Sequence, residues 1–263
     1  MNQEYRIAII GGGAMGGAVA RGLLASGFDP KCLTIANPHT DRVRPLAEAG
    51  CSVTADNLEA IGHADLIIIA VKPWILPSVA AQLRGHIDCG RQEVSLIVAG
   101  ISGVELLDMW TDGGTVPALS IAMPNTAVAL CQSMTFLVEL NGDCLLAHAA
   151  FDRLGSLMTI EERQLPAATA LASCGIAYAL RYIRAAVEGG VELGFRAGDA
   201  QAIVARTIAG AAALLGTPDA HAEAEIDKVT TPGGITIRGL NAMEAAGFTP
   251  AVIAGLRASV NKQ

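Results

Sequence analysis

Near its start the chain runs an apolar strand pattern, Arg6–Ile10, straight into Gly11-Gly12-Gly13-Ala14-Met15-Gly16. That junction limits the possible folds more than any other feature. A G-x-G-x-x-G that closes a strand and opens a helix fits the first turn of a dinucleotide-binding βαβ unit. Gly11 permits the tight turn, and Gly13 lets the backbone come up against a pyrophosphate. Gly16 allows close helix–strand packing, while the helix N-terminus faces the anion. Ile10, Gly11, Gly12, Gly13, Ala14, Met15 and Gly16 are therefore cofactor-binding candidates. For a glycine cluster taken alone, an ordinary structural turn is the alternative.

The pattern downstream supports the same fold. Apolar runs at Cys32–Ala36, Leu66–Ala70, Val94–Val98, Ala118–Ala122 and Met134–Val138 read as strands. Gly16–Ser26, Val43–Ala49 and Val104–Trp110 between them read as amphipathic helices. Such alternation predicts a parallel sheet covered on both faces, and runs like LIIIA are apolar throughout as that requires. After about residue 163 strand signals nearly vanish and Ala, Gly and Leu dominate. Ala167–Gly194, Asp199–Gly216, Ala220–Lys228 and Ile235–Asn261 read as helices. The expected fold class is α/β: a Rossmann-like doubly wound sheet over 1–162, then an all-helical domain over 163–263. Small residues let helices approach closely, so the second domain is expected to carry a homodimer or larger homo-oligomer.

Composition removes several function classes. With 52% apolar and 16% charged residues over 263 positions, a large core is available and disorder is not expected. A net charge of −7 and only 4% aromatic residues argue against nucleic acid, which wants a basic face or a stacking platform. Ala167–Leu180, ended by Arg181, is too short to span a bilayer. The N-terminus carries Glu4 and reads as no signal peptide. Six scattered cysteines without a C-x-x-C pair or a Cys/His cluster read as buried hydrophobes in a reducing compartment. The cytoplasm is the expected location, with no membrane, no nucleic acid and no metal.

The end of the second strand bears on the cofactor. An NAD enzyme usually places Asp or Glu there to hold the ribose 2′-hydroxyl. This chain places Asn37, with His39, Thr40, Arg42 and Arg44 close behind. Neutral donors and a guanidinium accept a 2′-phosphate that a carboxylate would repel, so NADP(H) is favoured over NAD(H). Arg42 and Arg44 as solvated helix charges is the alternative, and which of them touches phosphate stays open. Ala70, Val71, Lys72 and Pro73 stand at the carboxyl end of the third expected strand of the sheet, where ligands bind in doubly wound folds. Lys72 is held extended before Pro73, which is expected to start the next element. Asn57 is carried both as a helix N-cap and as a cofactor-side residue. Trp74 either shields the cofactor or packs locally.

Several blocks together resemble the pyrroline-5-carboxylate reductase family, in order and over almost the whole chain. They are GGGAMG at 11–16, AVKP at 70–73, MPNT at 123–126, LASCGIAY at 171–178 and VTTPGGITI at 229–237, followed by Gly239, Leu240 and Glu244. The last long block is the most specific. Departures are Cys174 and Ile176 at family Ser and Pro positions and Thr231 at the first serine of SPGG. Asp219, His221 and Glu223–Asp227 match the family's acidic and His-Pro region only loosely.

The resemblance implies reduction of 1-pyrroline-5-carboxylate to L-proline with NADPH, NADH being possible. It implies that the substrate carboxylate rests on backbone N–H groups around Gly234, Ile235 and Thr236, with Gly233 shaping the turn. It further implies that the Thr236 hydroxyl bonds the ring nitrogen and that Asn125 borders nicotinamide and substrate. An imine protonates readily, so the lack of an obvious catalytic His or Asp is consistent. His63, His86 and His148 read as solvent-facing, Tyr178 and Tyr182 as core packing. The rivals are a related imine reductase, a 3-hydroxyacid dehydrogenase or a non-catalytic NADP(H) sensor. A hydroxyacid dehydrogenase would need a lysine on the helix over Thr169–Gly190, and none is there.

Overall fold

The computed structural model describes residues 5–260. Glu4 and Asn261, on which the leader reading and the last helix boundary rest, lie outside them. By internal packing the chain divides into two compact units, one ending at Ser173 and one beginning at Cys174.

The first unit holds strands β1 (Ile7–Ile10), β2 (Leu33–Ala36), β3 (Ser52–Thr54), β4 (Leu66–Ile69), β5 (Glu93–Leu96), β6 (Ala118–Met123), β7 (Ser133–Asn141) and β8 (Gly155–Thr159). They form one sheet in the order β3-β2-β1-β4-β5-β6-β7-β8. The glycine turn sits at the switch point, since β1 lies between β2 and β4 with Ile7 beside both Leu33 and Leu66. Helices α1 (Ala14–Ala25), α2 (Arg44–Glu48), α3 (Asn57–Ile61), α4 (Leu76–Leu83), α5 (Gly103–Trp110), α6 (Leu145–Asp152) and α7 (Leu165–Ala168) complete the unit.

Period-two alternation along the strands builds two cores. Ile7, Ile9, Leu66 and Ile68 point to one face, into a cluster with Val19 and Leu23 of α1 and Ala147 and Phe151 of α6. Ala8, Ile10, Ile67 and Ile69 point to the other, with Val79 and Leu83 of α4 and Leu106 and Trp110 of α5. A strand apolar at every position is what two covered faces demand.

The expected parallel sheet needs one correction: β6 and β7 pair antiparallel. The link between them holds only the 3-10 turn Thr126–Leu130. A parallel return needs a crossover of about a dozen residues or more, so the chain reverses instead. Strands β3 and β8, which the pattern did not reveal, are the sheet's two outer strands.

One buried carboxylate ties sheet to helix. Glu93 opens β5, and its two oxygens accept the N–H groups of Leu146 at 2.9 Å and Ala147 at 3.0 Å, satisfying the start of α6.

The division at Ser173/Cys174 falls later than the expected 162/163 because α7 still belongs to the first unit. Ala168 joins Met123 and Phe136 in a small apolar cluster, with Leu165 against it. Past α7 the helix widens into a π-type segment, Thr169–Cys174.

The second unit is helical, as expected: α8 (Gly175–Glu192), α9 (Ala197–Leu214), α10 (Ala222–Val229), α11 (Ile235–Ala245) and α12 (Phe248–Val260). The single helix expected over 235–261 breaks at Gly247, which takes φ +87°. A Cβ on Gly190 would stand 3.0 Å from the Ala200 Cβ, so α8 and α9 approach through small residues. Tyr178 donates to the Gly255 carbonyl and bonds Ser259, and Tyr182 meets Phe248 edge to face, which docks α12 on α8. Ala200 is the one residue of this unit that is fully buried among those described. Leu193, Phe195, Ile203 and Ile235 all stand open.

Candidate functional site

The glycine turn is built by close approach. Gly11 takes φ +100°, and a Cβ there would come within 2.7 Å of the Ala70 carbonyl oxygen. A Cβ on Gly16 would stand 2.0 Å from the Gly11 oxygen, so strand end and helix start are in backbone contact. Gly12, given no particular role from sequence, is equally constrained: its Cβ would meet Val43 Cγ1 at 2.3 Å. Gly13 is different, because a Cβ there meets nothing within 4 Å. It caps α1 from an extended backbone with no side-chain acceptor, and the first turn of α1 holds no acid. The leading N–H groups of α1, at Ala14 and Met15, therefore stand beside the open space at Gly13 with the positive end of the helix dipole behind them, while Gly16 is buried against Gly11. A helix start of this kind suits a pyrophosphate. Ile10 itself is buried in the sheet, with its carbonyl taken by the Ala70 N–H at 2.8 Å, and it frames the turn from below.

Along the same edge, Ala70 and Val71 border the Gly11 turn and Lys72 follows. The Lys72 carbonyl accepts the Ile75 and Leu76 N–H groups, so residues 72–75 form a turn and α4 starts at Leu76. Pro73 therefore sits within that turn rather than starting the helix, and Pro77 takes the early helical position. The Lys72 ammonium lies 6.0 Å from the ring centre of Trp74, which is 76% exposed.

Asn37 folds the loop after β2: its Nδ2 donates to the His39 carbonyl at 2.6 Å, and its N–H donates to Thr54. Arg44 is paired with Glu48 at 2.8 Å. Asn57 is not the cap of α3. Asp56 is, accepting the Leu58 N–H at 2.8 Å, while Asn57 Nδ2 donates to Gln82 at 2.9 Å. Both residues can cap, and the one with the extended backbone takes the role.

Asn125 is 6% exposed and much engaged. Its Oδ1 accepts the Ala127 N–H at 3.0 Å and its Nδ2 donates to Ala172 at 3.4 Å, so it joins the end of β6 to the π-type segment. The 3-10 turn it starts presses on α1: a Cβ on Gly22 would stand 2.2 Å from the Val128 carbonyl oxygen. A glycine inside a helix costs about 1 kcal/mol against alanine, which was the available hint that Gly22 serves packing.

The second unit carries the turn Thr231-Pro232-Gly233-Gly234 ahead of α11. Gly233 takes φ +72°, and a Cβ on Gly234 would stand 2.5 Å from the Thr231 hydroxyl oxygen. The Gly234 N–H donates back to the Thr231 carbonyl at 2.9 Å. That leaves the Ile235 and Thr236 N–H groups at the head of α11, which has no side-chain cap and no acid in its first turn. Ile235 is 80% exposed, and the Thr236 hydroxyl bonds no other group among the described residues. An anion with a hydrogen-bond acceptor beside it suits this end of the helix.

Elsewhere, a groove of about 700 Å³ runs along α5, lined by Val104, Leu107, Leu140 and Glu162, and contains none of the expected site residues. His63 and His86 are exposed and His148 rests on Glu139 at 3.2 Å, so none of these three enters either site.

A doubly wound sheet with an open glycine cradle at its switch point, followed by a helical unit, defines the dinucleotide-dependent reductases with an appended helical domain. Within that class, residues 162–263 match the family model "Pyrroline-5-carboxylate reductase dimerisation", and residues 6–97 match "NADP oxidoreductase coenzyme F420-dependent". The chain is 34% identical to pyrroline-5-carboxylate reductase 2 of Dictyostelium discoideum, over 100% of this chain and 93% of that one. It is 38% identical to reductase 1 of the same organism over 97% of its own length, but spans about half (49%) of that longer protein. The solved structure of a pyrroline-5-carboxylate reductase from Coxiella burnetii superposes with a TM-score of 0.89 at 26% identity, covering 98% of this chain and 97% of that one. The chain belongs to the pyrroline-5-carboxylate reductase family.

Proposed function

We propose that this protein reduces 1-pyrroline-5-carboxylate to L-proline with NADPH. The observation that carries the reading is the head of α11, with free Ile235 and Thr236 N–H groups, no acid and an unspent Thr236 hydroxyl. It offers a carboxylate and an adjacent ring nitrogen what each needs. The α1 cradle fits a dinucleotide because Gly13 leaves its mouth open where any other turn residue would fill it. When bound, the reduced nicotinamide supplies the hydride that adds to the ring carbon of the C=N bond.

The chain's own work is binding and polarisation. Gly11, Gly12, Gly13, Ala14, Met15 and Gly16 hold the pyrophosphate, and Ala70–Pro73 with Lys72 border the nucleotide. Asn37 shapes the loop beside the ribose, and Asn57 steadies α3 behind it. Asn125 positions the end of β6 at the nicotinamide side. The substrate carboxylate rests on the Ile235 and Thr236 N–H groups, with Gly233 and Gly234 forming the turn. The Gly234 N–H, spent on Thr231, supports that turn rather than the anion. The Thr236 hydroxyl hydrogen-bonds the ring nitrogen, and the proton that the nitrogen gains as the carbon takes hydride comes from solvent, since an imine protonates readily in water. Functionally the chain is read as a nucleotide domain over 1–162 and a substrate and dimerisation domain over 163–263. The open apolar side chains of the helical unit support a homodimer or larger homo-oligomer, and the scattered free cysteines support a cytoplasmic location.

The test is loss of NADPH absorbance with purified protein and 1-pyrroline-5-carboxylate, with NADH in parallel. Thr236→Ala is expected to slow turnover about ten- to a hundredfold, the worth of one hydrogen bond to a developing amine. A protein that binds NADPH and leaves this imine untouched would sink the substrate assignment.

A further inference from the structure

Two arginines follow β2, and the cofactor's 2′-phosphate needs one cation that is not already neutralised. Arg44 opens α2 and is paired with Glu48 one turn later at 2.8 Å, both side chains being exposed. Such a surface pair is weak and does not lock Arg44 in place. It does place a carboxylate on the same helix face, so a dianion approaching Arg44 meets Glu48 as well. The pair offers it little net attraction.

Arg42 has a different setting. It stands on the 3-10 turn Thr40–Val43, which is pinned over the nucleotide edge by its neighbour Val43. Val43 is buried, and its Cγ1 occupies the space a Gly12 Cβ would need, 2.3 Å away. The Arg42 N–H donates to the His39 carbonyl at 3.1 Å, the same carbonyl that Asn37 Nδ2 holds. The backbone that carries Arg42 is thus fixed to both the glycine turn and the end of β2. No carboxylate pairs with Arg42 among the described residues. Asp41 precedes it, but successive side chains of a 3-10 turn point about 120° apart, which separates the two heads. Asn37 gives one Nδ2 donor to His39 and is neutral, so the charge for a phosphate has to come from elsewhere on this loop.

We infer that Arg42 is the cation that receives the 2′-phosphate of NADPH, and that Arg44 has no part in choosing between NADPH and NADH. The adenosine half of a dinucleotide lies beside the end of β2 in this fold, which places a guanidinium on Thr40–Val43 within reach of the ribose. The planar fork then holds two phosphate oxygens at once. The inference rests on the reading that the glycine turn binds NADPH.

The test is equilibrium binding, by calorimetry, of NADPH, NADH and adenosine 2′,5′-bisphosphate to the full-length protein and its variants. Arg42→Ala is expected to weaken NADPH and the bisphosphate about ten- to a hundredfold, as loss of a charge-assisted contact does, and to leave NADH within about twofold. Arg44→Ala is expected to leave all three unchanged. Arg42→Lys should recover part of the loss, because a point charge replaces a fork. The NADPH advantage should shrink with added salt in the wild type and be nearly flat in Arg42→Ala. Equal weakening of NADPH and NADH by Arg42→Ala would show a role in holding the loop and overturn the inference. Selective loss in Arg44→Ala, or none in either variant, would overturn it too. If the wild type binds none of the three ligands, the reading of the glycine turn itself fails and the inference with it.

Discussion

At the scale of single residues, the four glycines of the first turn do different work, and substitution should separate them. Gly13→Ala places a methyl in open space on an ordinary backbone, so the protein should melt within about 2 °C of wild type, as surface changes do. The same methyl stands where a pyrophosphate must come close, so NADPH binding should fall at least about tenfold, a loss equivalent to one good hydrogen bond. Gly16→Ala drives a Cβ into the Gly11 oxygen and should cost stability first. Thermal melts without nucleotide, set beside NADPH titrations, distinguish the two; matching losses of stability would contradict the assignment. Gly11 and Gly16 were legible in sequence because the motif states their roles. Gly12 was not, because its constraint comes from Val43, which only folding brings alongside.

Cys144 shows a second residue-level effect. Burial, reinforced by the Glu93, Glu139 and Asp143 charges against a lowering Ser120 hydrogen bond, pushes its thiol up to about 12. The native protein keeps that proton while the unfolded chain releases it above about 8.5. The unfolded state therefore binds fewer protons, and this contribution to stability is whole at neutral pH and is lost as pH rises from there toward 12. Iodoacetamide at mildly alkaline pH should leave Cys144 unmodified in the native protein, with labelling only at the rate of unfolding; rapid native labelling, read by mass spectrometry, would contradict it.

At the scale of elements, Glu93 is the clearest case of a side chain that decides how a helix sits. Glu93→Ala removes the acceptor for the Leu146 and Ala147 N–H groups in a buried place. It should cost about 2 kcal/mol, the range for a lost cap that leaves buried donors unpaired. Urea unfolding measures it; a change below about 0.5 kcal/mol would mean that water replaces the carboxylate. NADPH affinity should stay unaltered, since Glu93 stands level with Leu66 and Ile7 at the amino end of the strands, opposite the glycine turn.

Elements that were legible share a physical cause. Strands β1 and β4 are buried on both faces, so burial wrote itself into unbroken apolar runs. Strand β3 has three residues at the outer end of the sheet, and β8, at the opposite end, is mostly exposed or half-buried. Neither needs such a pattern, and neither was read. The reversal at β7 was invisible for another reason: strand direction depends on what the connection can span, and the Thr126–Leu130 turn carries no strong helix pattern. At the site, the Thr236 hydroxyl was placed by family likeness, and the structure adds that the Gly234 N–H is already spent.

At the scale of the molecule, the two units differ in how they are held together. The first has two continuous cores on either side of its sheet. The second, among its described residues, buries only Ala200 fully and leaves side chains such as Leu193 at 83% exposure. Five amphipathic helices without a core of their own need apolar partners, which a second copy can supply. Stability should then depend on protein concentration: dilution of about a hundredfold should lower the melting temperature by several degrees, as mass action requires for a coupled oligomer. A melting temperature independent of concentration, with a monomer mass in light scattering, would refute this. The division between units was legible from texture, because Ala and Gly replace strand-formers. The dimerisation-family match begins at residue 162, while by packing α7 goes with the first unit, through Ala168 on Met123 and Phe136 and through Leu165 on the second core.

The protein's two tryptophans occupy opposite environments. Trp110 is 1% exposed beneath the sheet, and Trp74 is 76% exposed beside Lys72. The chain therefore carries its own pair of optical reporters: an emitter in hydrocarbon surroundings that glows toward the blue and resists iodide, and a red-shifted one in water that iodide extinguishes. Reduced nicotinamide absorbs where indole emits, so NADPH arriving at the edge where Trp74 stands should accept its excitation and dim the red component first. Occupancy of the cradle can then be followed by the balance of the two ultraviolet emission components alone, with no label and no turnover.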